Sequence, residues 1–270
     1  MNARPTLRTG IAGIGLLGPG LSHWTAAAPL LHTPSDWKAT PTVVAAPERL
    51  PPTERRRASV AVKAAVSVAD QASAMAAIDP ALVATVFTSA SGDPSICHAM
   101  CEALAKPERV LSPTRFTNSV HNAPAGYWHI AVQSRCASTS LAAYDASANA
   151  GLLEAAAQCV SLQAPVLLVA CDMPYPEPLH ALRPLPDVFA LALLLVPEGA
   201  AAPWGLQVAM ATGGPTSRCD GPGLEALRAT IPAARLLPLL QALARSQDAS
   251  MQIEAGGLDL AVQLQVRVPA

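Results

Sequence analysis

The sequence has few aromatic residues, few charged residues and no long apolar run. Phe, Trp and Tyr make up 4% of the 270 residues, charged residues make up 14%, and the formal net charge is -1. So little positive charge offers no basic surface for nucleic acid. The best apolar run, Val188 to Val196, is far shorter than the roughly 20 residues of a membrane-spanning helix. Gly13 and Pro19 interrupt the apolar region that a signal peptide would need after Arg4 and Arg8. We therefore expect a cytoplasmic protein without nucleic-acid binding or membrane insertion.

The common metal and cofactor patterns are also missing. The six cysteines lack the dense spacing of a disulfide scaffold, so we expect free and mostly buried thiols. Cys97 and Cys101 lie one helical turn apart without a second ligand pair, which favours two small residues on a core face over a zinc site. Gly13 to Gly18 match GxGxxG, but Pro19 follows where the helix of a dinucleotide site would run. We expect no metal and no cofactor.

The remaining pattern alternates between strands and helices, which predicts an α/β fold. With 51% hydrophobic residues, the chain can bury one sizeable core. The predicted strands are Thr6–Ile14, Val83–Thr88, Ala137–Ala143, Val166–Ala170, Val188–Val196 and Trp204–Ala211. The predicted helices are Thr53–Ala77, one beginning at the capping residue Asp93, Ala146–Val160, and Leu224–Gln247 with breaks at its prolines. A terminal hairpin with a Gly256-Gly257 turn closes the chain, and Met173–Asp187, with five prolines, is predicted to be a loop.

The central part of the chain has a pattern suited to acyl transfer. Residues 138–147 cross from a strand of small residues into the long helix. A nucleophile on such a turn would sit at the positive end of the helix, where backbone N–H groups lower a thiol pKa and stabilise an oxyanion. The turn carries Asp145 rather than cysteine. We expect this carboxylate to cap the helix rather than to attack a thioester.

Three stretches carry a family resemblance: residues 10–20, residues 112–130 and residues 138–147. They resemble the β-ketoacyl synthases of the thiolase fold, and most closely the short chain-length-factor type encoded in aryl polyene and related pigment clusters. The resemblance implies one five-stranded mixed-sheet half with helices on both faces. A short C-terminal α/β extension would replace the second half, with residues 1–198 as the ketosynthase-like half and residues 199–270 as the extension packed on it.

The same resemblance implies a loss of catalysis. An ungapped count from Asn122 puts the family's catalytic cysteine at Asp145, and the last histidine of the chain, His180, precedes the region of the catalytic histidine pair. The resemblance therefore implies a non-catalytic subunit that pairs with an active β-ketoacyl synthase in acyl carrier protein-dependent fatty acid or polyketide biosynthesis. The strand at residues 137–143 would pair with the partner, and the two subunits would define the acyl tunnel.

The candidate tunnel and interface residues lie on either side of this strand. They are Phe116, Asn118, His121, Asn122, Tyr127, Trp128, Ser138, Thr139, Ser140 and Tyr144. The aromatic members have an alternative interpretation as ordinary core residues.

Two other functions remain open on the sequence. One is a stand-alone acyl-thioester transferase or hydrolase that uses a residual nucleophile, such as Ser119 or Ser147, with His121 as its base. The other is a homodimeric scaffold that binds acyl carrier protein through the basic cluster Arg55 to Arg57.

Overall fold

The computed structural model describes residues 5–211, 214–253 and 259–267. Its strands are β1 (Leu7–Leu17), β2 (Ala84–Thr88), β3 (Ser138–Leu141), β4 (Val166–Asp172), β5 (Phe189–Pro197), β6 (Trp204–Met210), β7 (Ala249–Ile253) and β8 (Leu260–Val266). Its helices are α1 (Trp24–His32), α2 (Pro52–Arg57), α3 (Val60–Ala76), α4 (Pro94–Ala105), α5 (Pro113–Asn118), α6 (Ala123–Val132), α7 (Ser147–Leu162), α8 (Leu179–Leu182), α9 (Pro222–Thr230) and α10 (Leu237–Arg245). Short 3-10 turns lie at Pro34–Asp36, Pro80–Leu82, Tyr144–Ala146 and Pro232–Leu236.

The strands form one mixed sheet in the order β3-β2-β4-β5-β1-β6-β8-β7. The pairs β3–β2 and β2–β4 are parallel, whereas β5 is antiparallel to both β4 and β1. The expected α/β class and mixed sheet are confirmed. The sheet is larger than the expected five strands because Leu7–Ile11 of β1 also pairs with β6, so the C-terminal strands continue the same sheet.

Helices cover both faces of the sheet and form two apolar clusters. One cluster packs α1, α7, α9 and α10 against one face, and the other packs α3 and α6 against the opposite face. Strands β4 and β5 lie between the two layers and are buried almost throughout, which explains their continuous apolar sequences.

The GxG pattern near the N-terminus serves helix packing. A Cβ at Gly13 would lie 2.0 Å from the carbonyl oxygen of Ala72, and a Cβ at Gly15 would lie 1.9 Å from that of Val68. Only glycine therefore lets α3 approach β1 this closely. The structure thus gives these glycines a packing role in place of a nucleotide site.

Several element boundaries differ from the sequence prediction. The predicted helix Thr53–Ala77 is two helices, because Ser59 caps the second one by accepting a hydrogen bond from Val62 N. Asp93 caps α4 as predicted, with its Oδ1 3.0 Å from Ile96 N. Helices α1 and α5, and the short α8 within the predicted proline-rich loop, were not predicted. The predicted Gly256-Gly257 turn lies outside the described residues.

No helix in the described ranges is long and apolar enough to cross a membrane.

Candidate functional site

The turn between β3 and α7 is built by local hydrogen bonds. The hydroxyl of Ser147 accepts a hydrogen bond from Ala143 N at 2.9 Å and donates one to Tyr144 O at 2.7 Å. Ala146 N donates to Ala143 O at 2.9 Å, which closes the 3-10 turn. Tyr144 adopts a left-handed conformation with φ of 53°. The turn therefore has a fixed shape, and Ser147 is engaged in maintaining it.

Asp145 does not cap α7, so that prediction is wrong. Ala146 occupies the N-cap position, and no side chain caps the helix there. Instead, Asp145 Oδ1 accepts a hydrogen bond from Arg183 Nη2 at 2.5 Å. The guanidinium also stacks over the ring of Tyr144, with 3.8 Å from Arg183 Cζ to the ring centroid. The carboxylate is drawn towards this cation rather than towards the free N–H groups of the helix.

Sequence reasoning missed Arg183 because the residue lies in the proline-rich segment assigned as a loop. It follows α8 directly and is 38 residues away from Asp145 in the chain. Its side chain is 19% exposed and also approaches Tyr175, at 5.8 Å from the ring centroid. The sequence gives little sign that this arginine stacks on tyrosines, because the contact depends on how the chain folds between them.

The structure does not pair His121 with a nucleophile. His121 Nε2 lies 3.2 Å from the carbonyl oxygen of Ser89, to which an Nε2–H group donates. The hydroxyl of Ser119 donates to Phe116 O at 2.8 Å. Among the described residues, no hydrogen bond joins His121 to Ser119, Ser147, Asp145 or a cysteine. Acyl transfer by a residual serine would need a base within hydrogen-bond reach of the serine hydroxyl. His121 does not meet this requirement for Ser119 or Ser147.

Four of the six thiols are in surroundings that disfavour the thiolate. Burial raises the pKa of Cys159 to about 11 and, together with Glu225, the pKa of Cys219 to about 12. Burial also raises the pKa of Cys171, and partial burial with the nearby Asp93 raises that of Cys97. These four groups are therefore protonated thiols at neutral pH, and the thiolate is the reactive form.

The expectation of mostly buried thiols holds for only part of the set. Cys159, Cys171 and Cys219 are buried, whereas Cys97 and Cys101 are exposed on α4. Both were assigned to a core face, but α4 packs loosely on the rest of the protein and leaves them at the surface. No group of three or more His, Cys, Asp or Glu side chains within the described ranges could hold a metal ion.

A buried carboxylate connects the segment after β2 to the C-terminal part of the chain. Asp172, at the end of β4, is fully buried. It accepts hydrogen bonds from Ala90 N at 2.8 Å, Ser89 Oγ at 3.0 Å and Ala233 N at 2.7 Å. Desolvation raises its pKa, although these hydrogen bonds and the cation of Arg183 act in the opposite direction. Asp172 thus ties the end of β2 to the C-terminal part of the chain.

Strand β3 is one of the two outer strands of the sheet, and no described strand pairs with its free edge. Thr85 N donates to Ala137 O and Ser89 N to Leu141 O. Because neighbouring residues of a strand face opposite sides, Ser138 and Ser140 direct their backbone N–H and C=O groups outwards. Such an edge is a template for pairing with another chain.

A polar groove runs beside this edge, between β3 and α6. It is lined by Asn122, Ala125, Gly126, His129, Ser138 and Ser140. Thr85 Oγ1 lies 3.0 Å from His129 Nε2 and donates a hydrogen bond to Ser138 Oγ at 2.8 Å. Burial lowers the pKa of His129. Four of the six lining residues are Ala, Gly or Ser, and such small side chains allow close approach of a partner backbone.

The comparison with sequence families decides where the chain belongs. Residues 24–254, most of the chain, match the profile of the β-ketoacyl synthase N-terminal domain. The chain belongs to the β-ketoacyl synthase family. The match begins after β1, so the resemblance of residues 10–20 lies outside it. No curated protein sequence is significantly similar to the chain.

Solved ketosynthase structures share the fold. The ketosynthase ApeO in complex with its chain length factor ApeC from Xenorhabdus doucetiae aligns with a TM-score of 0.73 and 22% identity over 95% of this chain and 99% of that one. The ishigamide ketosynthase/chain length factor aligns with a TM-score of 0.70 and 13% identity over 96% and 99%. AntDE:AntF, a type II PKS acyl carrier protein in complex with its ketosynthase bound to the hexaketide, aligns with a TM-score of 0.75 and 12% identity. That alignment covers 98% of this chain and 100% of that one. The implied thiolase-like fold is confirmed.

The candidate residues of this β-ketoacyl synthase family member occupy two environments. Trp128 and Tyr127 are buried in the cluster beneath α3 and α6, where they are core aromatics. Asn118 is also buried, and its Nδ2 donates to Arg57 O at 2.8 Å. The other candidates lie wholly or partly at the surface: Phe116, His121, Asn122, Ser138, Thr139, Ser140 and Tyr144. Thr139 Oγ1 accepts a hydrogen bond from Gln158 of α7 at 2.8 Å.

Proposed function

We propose that the chain is a non-catalytic, ketosynthase-like subunit of the chain-length-factor type. It pairs with an active β-ketoacyl synthase in acyl carrier protein-dependent fatty acid or polyketide biosynthesis of the aryl polyene type. The free edge of β3 carries this proposal, because Ser138 and Ser140 present unpaired backbone groups beside a groove of small residues. An antiparallel strand from the partner would satisfy these groups across an approximate two-fold axis.

The chemistry of the turn supports a non-catalytic role. Asp145 stands at the position proposed for the family's nucleophile, and Arg183 holds its carboxylate in an ion pair. A carboxylate would form an anhydride, which is a poor carrier for a growing acyl chain. His121 is bound to Ser89 O, and Ser147 is bound within the turn. These contacts disfavour the alternative of a stand-alone transferase or hydrolase.

Exposed apolar residues on α4 and just after it in the chain support a large partner. Within the described chain, Pro94 is the one residue of α4 that is buried, although α4 carries Ile96, Met100 and Leu104. Phe116 and Val120, which follow α4 in the chain, are 59% and 50% exposed. Clusters of exposed apolar side chains are typical of a protein interface.

The assemblies formed by proteins of similar structure suggest the type of partner. ApeO is in complex with its chain length factor, and AntF is in complex with a ketosynthase. By analogy, we assign an active ketosynthase as the partner of β3 and acyl carrier protein as a second partner. Arg56 and Arg57 are exposed and available to an acidic carrier protein, whereas Arg55 donates to the carbonyl oxygens of Glu48 and Leu50.

The proposal includes a division of the chain. Residues 1–198 contain β1 to β5, the five strands expected of a ketosynthase-like half. Residues 199–270 form a reduced extension in place of the second half. The pairing of β6 with β1 is compatible with an extension that packs on the same domain.

Co-expression with the ketosynthase encoded in the same gene neighbourhood tests the proposal. We expect affinity purification on one partner to yield a stoichiometric heterodimer, measured by its mass in solution. Condensation should be abolished by mutating the partner's cysteine. Asp145→Ala should keep full condensation activity when both subunits are present at concentrations that saturate pairing, because this carboxylate takes no part in the chemistry.

Two variants of one residue test the role of the strand edge. Ser140→Pro removes an outward N–H group, whereas Ser140→Ala keeps it. We expect the proline variant to lose the partner and the alanine variant to retain it. The proposal would be contradicted if the folded chain does not bind the ketosynthase, or if the proline variant still forms the heterodimer. A stable homodimer that binds acyl carrier protein alone would favour the scaffold alternative.

A further inference from the structure

Tyr144 combines a left-handed backbone conformation with an exposed aromatic ring. Its φ of 53° places a bulky residue in the left-handed region, and its side chain is 64% exposed. Non-glycine residues persist in this region only where their surroundings hold them, and such residues are concentrated at functional sites. Exposure of a large ring in a strained turn does not contribute to the core of the isolated chain.

Three separate contacts hold Tyr144 in this conformation. Ser147 Oγ donates to its carbonyl oxygen at 2.7 Å, and the Ala146 N to Ala143 O hydrogen bond closes the turn around it. The guanidinium of Arg183 stacks on its ring at 3.8 Å. The ring is therefore fixed in position before any partner binds.

Arg183 owes its own position to Asp145 and to the ring. Its Nη2 donates to Asp145 Oδ1 at 2.5 Å, whereas Nη1 is buried without a hydrogen-bond partner among the described residues. Nη2 thus makes the hydrogen bond to Asp145, and the flat face of the guanidinium stacks on the Tyr144 ring. The carboxylate at the former nucleophile position therefore fixes an arginine, and the arginine fixes a tyrosine.

We propose that Tyr144 is an anchor that inserts into an apolar pocket of the partner ketosynthase, and that Asp145 and Arg183 are positioning residues for it. This inference rests on the proposed pairing through β3. Tyr144 follows the end of β3 by only three residues, so it lies at the end of the free strand edge. Leu179 and Leu182 of α8, which immediately precedes Arg183, are 48% and 85% exposed and extend the apolar surface. A rigid, exposed aromatic residue is the usual form of an interface anchor.

A double-mutant cycle with the co-encoded ketosynthase tests the inference. The dissociation constant is measured for the full-length wild type, Tyr144→Ala, Arg183→Ala and the double variant, with thermal unfolding as the check on folding. We expect Tyr144→Ala to weaken binding at least about 30-fold, as at an interface hot spot. Arg183→Ala should weaken binding about 10-fold through lost preorganisation. The double variant should bind no more weakly than Tyr144→Ala alone.

Conservative variants separate anchoring from a structural role. Tyr144→Phe keeps the ring and should bind within about 3-fold of the wild type. Arg183→Lys keeps a cation beside Asp145 but loses the flat stack, and it should weaken binding even if Arg183→Ala fails to fold. If Tyr144→Ala binds like the wild type, or if the effects of Tyr144 and Arg183 simply add, the inference is wrong while the pairing stands. If the wild-type chain does not bind the ketosynthase, both the inference about Tyr144 and the proposed pairing are wrong.

Discussion

Replacement of Asp172 by alanine should destabilise the protein more than any other loss of a single carboxylate. Its side chain is fully buried and accepts hydrogen bonds from Ala90 N, Ala233 N and Ser89 Oγ. The two backbone donors belong to segments far apart in the chain. Alanine at this position would therefore leave two N–H groups without their acceptor and would weaken the attachment of the C-terminal part to the sheet.

The magnitude follows from these contacts. A buried donor that loses its acceptor costs about 1–3 kcal/mol, so Ala90 N and Ala233 N together account for roughly 4 kcal/mol. The hydroxyl of Ser89 can rotate towards another acceptor. Burial raises the pKa of Asp172, so removal of the carboxylate also relieves a desolvation cost. We expect a net loss of about 3 kcal/mol in the free energy of unfolding.

Urea unfolding at pH 7, followed by circular dichroism, measures this loss. Asp220→Ala is the matched control, because the exposed Asp220 carboxylate pairs with Arg245 at the surface. A surface ion pair contributes about 0–1 kcal/mol, so the control should stay close to the wild type. If Asp172→Ala loses no more stability than Asp220→Ala, the role assigned to the buried carboxylate is refuted.

Further predictions concern packing, pH and thiol access. Gly15→Ala should lower the free energy of unfolding by about 2 kcal/mol, because the new Cβ would lie 1.9 Å from Val68 O. Gly126→Ala is the control: a Cβ there would have nothing within 4 Å, so it should be neutral or stabilise the helix by up to about 1 kcal/mol. Equal effects of the two variants in urea unfolding would contradict this prediction. The folded pKa of His129 lies below its ordinary value of 6.5, so the unfolded chain binds the proton more readily, and stability should fall as the pH drops below about 6.5. His129→Gln should flatten that part of the stability profile, and an unchanged profile would count against the burial of this ring. Alkylation of the native protein followed by mass spectrometry should label Cys97 and Cys101 but leave Cys159, Cys171 and Cys219 unmodified until urea is added; rapid labelling of Cys159 would show that its surroundings open.

The sequence by itself determined the elements whose causes are local. Strands β4 and β5 were predictable because strands buried on both faces need continuous apolar runs. The start of α4 was predictable because Asp93 caps it through a contact three residues away. The family resemblance of residues 112–147 also depended on local motifs, and it pointed to the turn that carries Asp145.

Only the tertiary structure decided the contacts between distant parts of the chain. Arg183 meets Asp145 across 38 residues, and this ion pair replaced the expected helix cap. The sheet extends past five strands because β6 returns to the free side of β1. Tyr127 and Trp128 of α6 are buried, whereas Tyr144, in the turn before α7, is exposed. Which side chains meet across such separations depends on how the layers pack, because propensity and periodicity act only between near neighbours in the chain.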